Sequence, residues 1–259
     1  MRKLQDTKPI WHALIWVAIY IVAVNIGDNL GEVVQFPELT SIVLVVLSIV
    51  LIVYLRVGGR LAFYGIRSVQ PDTLPLTLFY IPLFAIAFVQ YAKGLESGLD
   101  LRAVAFAVLL VTAVGFVEEL LFRGFLLQAL RARRNLTYAI IISGVTFGIG
   151  HIVNLLRGWS LTDQAIQIVA AVLIGIALAY CVVLTGSILP GVVFHALFNL
   201  SGTLTNHSVL WDSVTVGVIA IVMIVYILFL RNRLANTGPA VSARQSTTRV
   251  VQGLSLIHI

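Results

Sequence analysis

The chain has 259 residues, of which 59% are hydrophobic and 11% charged, with a mean hydropathy of +1.02. Average soluble domains are about 45–50% apolar and about 25% charged, so a soluble enzyme is excluded, and so is a disordered chain. The net charge of +6 would suit nucleic acid, but membrane proteins gather basic residues in cytoplasmic loops, and a single cysteine, Cys181, excludes an internal disulfide and a cysteine-based zinc site.

A membrane-spanning helix needs about 20 mostly apolar residues. In chain order such runs lie at 11–26, 39–55, 74–91, 103–130, 136–153, 165–184, 188–200 and 214–230. This predicts an all-α, polytopic transmembrane bundle of about eight spans, one integral membrane domain over residues 1–235. The seventh run is short at its start, and the fourth is long and carries charges in its second half. The first run lacks a small-residue cleavage site and reads as an anchor. Residues 236–253 are polar and small and read as a disordered cytoplasmic tail. Residues 254–259 (LSLIHI) read as translated sequencing adaptor, so His258 is not a site candidate.

Alternating the loops places Arg2, Lys3, Lys8, Arg56, Arg60, Arg67, Arg131, Arg133, Arg134, Arg231, Arg233, Arg244 and Arg249 on one side. The other side receives Lys93, Arg102 and Arg157, diluted by Asp28, Glu32, Glu38, Glu96, Asp100, Asp163 and Asp212. This bias predicts a multi-pass cell-membrane protein with both termini cytoplasmic, which requires an even number of spans. Trp11, Trp16, Trp159 and Trp211 lie near span ends and read as interfacial anchors.

Ionisable residues deep in a span cost at least about 2.5–3.5 kcal/mol each and are functional candidates by default. They fall in three clusters. In Glu118-Glu119-Leu120-Leu121-Phe122-Arg123-Gly124, Glu119 and Arg123 stand four apart and can pair on one helix face. Glu118 is turned about 100° away and is left free, a carboxylate suited to general-base work; the alternative is a structural charge knot. In Phe147-Gly148-Ile149-Gly150-His151, the small residues Ser143, Gly144, Gly148 and Gly150 let another helix approach. His151 is then either an interhelical hydrogen bonder or a catalytic group. In His195-Ala196-Leu197-Phe198-Asn199, two donors share a face. They suit an oxyanion hole, or the capping of a helix broken near Pro190-Gly191. At 1.5 Å per residue, Glu118 lies about 20 Å, His151 about 22 Å, His195 about 12 Å and Asn199 about 18 Å from the cytoplasmic ends of their spans. All four can therefore converge within a core about 30 Å thick.

EELLFRG resembles a Glu-Glu-x-x-x-Arg motif, TFGIGH a Phe-x-x-x-His motif and HALFN a His-x-x-x-Asn motif. In this order, on separate spans, they resemble the CAAX protease and bacteriocin-processing family of intramembrane endopeptidases, also called the Abi family, over about residues 103–200. The resemblance implies a helical membrane fold around a conical cavity. It implies that Glu118 activates a water, that His151 helps to hold it, that His195 and Asn199 form the oxyanion hole, and that Glu119 and Arg123 brace the site. The substrate it implies is a peptide or membrane protein met in the lipid bilayer, prenylated CAAX chains in eukaryotic members, with no nucleic-acid partner.

Members have been classed both as metalloproteases and as glutamate-dependent proteases. Zinc hydrolases typically offer three protein ligands and a separate base. Here Glu118, His151 and His195 would be the ligands, leaving Glu119, which faces Arg123, as base. A metal-free mechanism without cofactor uses each residue once and is preferred; zinc is the alternative. A non-catalytic immunity or scaffold protein would not need all four polar residues intact. A transporter would carry further intramembrane charges along a pathway, and beyond the clusters only Asn25 and Asp28 at a span end qualify.

The charge bias makes the topology testable. Reporter fusions after Arg67 and Arg134 should read cytoplasmic, and those after Glu32 and Lys93 external; the reverse at either pair contradicts the assignment.

Overall fold

A computed structural model describes residues 1–158, 160–206 and 209–255. Trp159 and the side chains of Arg157, Asp212, Arg244 and Arg249, which entered the sequence reading, lie outside the described residues. A short helix, α1 (Arg2–Thr7), leads into α2 (Pro9–Val33), which starts on a proline, where a missing N–H is tolerated. After α3 (Leu39–Val57), a third apolar segment, Leu74–Lys93, is built from 3₁₀ turns around α4 (Ile81–Val89). The fourth, Leu101–Arg131, joins α5 (Leu101–Glu119), a π-helical segment Leu120–Leu126 and α6 (Leu127–Arg131). Next come α7 (Leu136–Gly150) with a 3₁₀ extension His151–Arg157, α8 (Leu161–Thr185), α9 (Leu189–Leu204) and α10 (Val209–Ser255).

Side-chain caps set several starts. Asp100 accepts from Ala103 N at 2.7 Å, Asn135 from Tyr138 N at 2.8 Å and Ser160 from Asp163 N at 3.1 Å, each satisfying an N–H that the first helical turn leaves unpaired. Among the described residues there is no strand; one isolated bridge pairs Leu95 with Thr205. The protein is a multi-pass, all-helical membrane bundle. Among the described residues seven helices are long and apolar enough to cross a membrane, and α9 is a shorter apolar helix of 16 residues. At 1.5 Å per residue α9 measures about 24 Å, less than a hydrocarbon core. The eight runs read from sequence thus correspond to eight apolar helices, with the seventh short as expected. The backbone of α10 continues to Ser255, while the side chains of 237–255 and all of 256–259 lie outside the described residues.

The rod containing α5 packs against α3 and α9, and its π segment meets α2. On the other side of the bundle α8, the most buried long helix, packs against α7 and α10. Small residues set the closest crossings. A Cβ on Gly144 would lie 2.6 Å from Ile176 N, and one on Gly148 2.7 Å from Val172 N, so α7 and α8 meet backbone to backbone. Gly150 departs from the sequence expectation: its nearest neighbour is the Phe122 ring at 3.7 Å, so it takes no part in that approach.

The loop after α3 is fastened across the bundle to the α8–α9 turn. Arg67 Nε donates to Gly186 O at 2.8 Å, Ser187 Oγ to Arg67 O at 2.6 Å, and Ile188 N to Gly65 O at 3.0 Å. These bonds set where α9 begins. Trp11 and Trp211 are 61% and 60% exposed. Trp16 is not an anchor: it is buried and its indole N–H donates to His12 Nε2 at 3.1 Å, because five residues on from Trp11 its side chain is turned about 140° around α2, away from the exposed face.

The α7–α8 crossing predicts opposite outcomes for two glycines. Gly144→Val forces a side chain into the Ile176 backbone and should cost about 1–3 kcal/mol, as overpacked sites do. Gly150→Ala makes only an ordinary van der Waals contact with the Phe122 ring, at 3.7 Å, and should melt like wild type; thermal unfolding of both in detergent checks this.

Candidate functional site

The last turn of α5 delivers two carboxylates into the bundle, and the π segment delivers a guanidinium. Glu119 and Arg123 are completely buried, Glu118 is 9% exposed and His195 6%. Glu119 Oε1 lies 3.0 Å from Arg123 Nη1, so the pair expected from the four-residue spacing forms. Its attraction is that of charge rather than of aligned hydrogen bonds, since the guanidinium nitrogens have no hydrogen-bond partner among the described residues. The Arg123 guanidinium instead lies over the Phe147 ring, 4.2 Å from its centroid, a cation–π contact. Beside it Ser143 Oγ donates to Phe122 O at 2.8 Å, fastening the π segment to α7. Such i→i+5 turns are rare and concentrate at functional sites. Nothing in Leu120–Leu126 announces one, because the same residues fit an α-helix.

His195 stands between the two carboxylates. Its Nδ1 is 3.4 Å from Glu119 Oε1 and its Nε2 3.4 Å from Glu118 Oε2. A neutral ring donates to only one of them; the imidazolium donates to both. The ring reaches this position because α9 lies close against α5: a Cβ on Gly115 would be 3.2 Å from Ala196 N and 3.4 Å from His195 Cβ. Gly191 faces Glu119 in the same way, with its Cβ position 3.1 Å from Glu119 Oε2.

The sequence reading left Glu118 free, and the structure corrects this. Glu118 does lack the arginine, but the Tyr20 hydroxyl donates to its Oε1 at 2.7 Å. Tyr20 escaped the reading because a tyrosine in an apolar span carries no motif, and its partner is 98 residues away. His151 opens the 3₁₀ segment after α7, and its Nδ1 is 3.1 Å from Phe147 O. Phe147 makes edge contacts with both histidine rings, with centroids 5.1 Å from His151 and 5.6 Å from His195. His151 is therefore beside the cluster, linked through Phe147 rather than by a hydrogen bond to Glu118. Asn199 follows His195 by one turn of α9, and its backbone carbonyl accepts from Thr203 Oγ1 at 2.9 Å.

Of the three side chains that zinc would need, Glu118 and His195 approach to 3.4 Å, but His151 does not complete a set with them. Both His195 nitrogens face glutamates, His151 is turned onto Phe147, and among the described residues no three His, Cys, Asp or Glu side chains form a metal-holding group.

These observations define a membrane-embedded bundle with a buried carboxylate–histidine centre. Residues 100–201 match the family model described as type II CAAX prenyl endopeptidase Rce1-like. The match contains all three motifs, and the family resemblance read from them holds. No curated protein and no solved structure matches the chain.

The buried ion pair generates a stability prediction. Arg123→Ala strands Glu119 without a countercharge, and breaking such a pair from one side typically costs about 3–5 kcal/mol. Yield and melting temperature in detergent should fall sharply; a variant that melts like wild type would show that the pair contributes no such stability.

Proposed function

We propose that the protein is an intramembrane endopeptidase that hydrolyses peptide bonds of a membrane-associated or hydrophobic substrate, CAAX-type chains being the substrate class that the family match suggests. The observation that carries this reading is the approach of Glu118 Oε2 to His195 Nε2, at 3.4 Å, inside the segment matched by the family model. Glu118 is the base: it takes a proton from water, the resulting hydroxide oxygen attacks the peptide carbonyl, and the proton passes on to the leaving amine. His195 and Asn199, one helical turn apart, supply N–H donors to the oxyanion that develops on the carbonyl oxygen. His151 borders the water, and Glu119 with Arg123 holds His195 from its other nitrogen. No cofactor is required; the placement of both His195 nitrogens against glutamates supports this over a zinc mechanism.

Glu118→Gln keeps the shape of the side chain but cannot take a proton from water. It should abolish cleavage of an internally quenched lipidated peptide by the purified protein while leaving its melting temperature unchanged. Asn199→Ala should lose about 10²–10³ in rate, the usual loss for one oxyanion donor. Full cleavage by Glu118→Gln would overturn its assignment as the base, and absence of cleavage by the wild-type protein would replace the protease reading with a scaffold role. Loss of activity to chelators and its return with zinc would replace the metal-free mechanism.

A further inference from the structure

Outside the matched segment, α2 carries a face built toward the site. His12, Trp16 and Tyr20 follow at four-residue spacing and so lie along one side of the helix. The beginning of this stripe is held by a chain of polar contacts. Trp16 Nε1 donates to His12 Nε2, which is 3.0 Å from the Tyr54 hydroxyl. Tyr54 approaches Gln5 Oε1 at 3.1 Å, and Gln5 Nε2 donates to the Tyr64 hydroxyl at 2.8 Å. The His12 and Tyr64 rings both pack on Phe125 of the π segment, with centroids 4.8 and 4.7 Å from it. The rotation of α2 about its axis is thereby tied to the same rod that carries the carboxylates. At the far end of the stripe stands Tyr20, 2.7 Å from Glu118 Oε1.

We propose that Tyr20 is a positioning residue of the site: its hydroxyl holds Oε1 of Glu118 so that Oε2, the oxygen facing His195, is the one presented to water. The inference rests on the reading of Glu118 as the base. The terminal torsion of a glutamate is broad and nearly two-fold, so an untethered carboxylate exchanges its oxygens. A phenol on a packed helix has few torsions of its own, and a hydrogen bond of this length to a carboxylate is of the charge-assisted kind. Tethering one oxygen from α2 and facing the other with α9 gives the carboxylate a single orientation. The matched segment 100–201 then does not make a complete site, because α2 supplies the tether.

The test uses the full chain in detergent with an internally quenched, farnesylated peptide ending in a CAAX sequence. Tyr20→Phe should lower kcat about 10–100-fold, the scale seen for groups that orient a functional side chain, with KM and melting temperature unchanged. Tyr20→p-aminophenylalanine, which restores an N–H donor at the same place, should recover most of the loss. Wild-type kcat in Tyr20→Phe, or no recovery with the donor restored, overturns the inference. If Glu118→Gln is inactive and Tyr20→Phe is not impaired, the inference alone fails; if Glu118→Gln cuts at the wild-type rate, the base assignment fails and takes this inference with it. A readout without turnover keeps the contact testable even where the peptide is not cut. With 3-fluorotyrosine at position 20, Glu118→Gln should move the fluorine resonance, and an unmoved resonance overturns the contact.

Discussion

Two carboxylates inside an apolar bundle have to be satisfied from within it, and the rest of the structure is arranged around that requirement. An isolated charge cannot be left in hydrocarbon, and removing one partner of a buried pair is among the costliest single changes a protein can suffer. Arg123 answers Glu119 from the next turn of the same rod, so one charge is balanced locally. Glu118 has no such neighbour on its own helix. It is served by side chains from two other elements, Tyr20 on α2 and His195 on α9, and those elements have to be brought in.

Bringing them in is a matter of close backbone approach. Gly115 lets α9 lie against α5 at the level of His195, and Gly191 leaves room for the second oxygen of Glu119. The loop carrying Gly65 and Arg67 fastens the turn from which α9 starts, and that short helix is placed at its beginning as well as along its length. Gly144 and Gly148 do the same for α7 and α8, and Ser143 from that pair of helices reaches back to the π segment. The small residues and polar loop contacts are thus the means by which distant spans meet one buried charge cluster.

The same cluster orders its own chemistry. Glu119 is tied to a guanidinium and faces one nitrogen of His195; Glu118 faces the other nitrogen and is held by a phenol. The two glutamates are adjacent in the chain, yet their surroundings differ completely, because a rotation of about 100° per residue points them at different neighbours. Unequal surroundings of this kind suit the proposed division of labour, in which Glu119 braces the site and Glu118 acts as base.

Much of this was legible from the chain alone. Apolar runs of spanning length, the Glu119–Arg123 spacing and the three motifs follow from local rules, since helix length and i,i+4 contacts depend only on nearby residues. The same rules misread Trp16 and Gly150, whose surroundings come from other helices. They also could not show the π segment, the bridging of two carboxylates by His195, or the tether from Tyr20. Whether His195 sits between the glutamates depends on how closely α9 packs on α5, and whether Tyr20 reaches Glu118 depends on the rotation of α2, which the contacts of His12, Tyr54, Gln5 and Tyr64 hold. The residue types, their order and the local ion pair were determined by the sequence; the partners of Glu118 were decided only by the tertiary structure, because they come from helices far apart in the chain whose approach and rotation are fixed by packing.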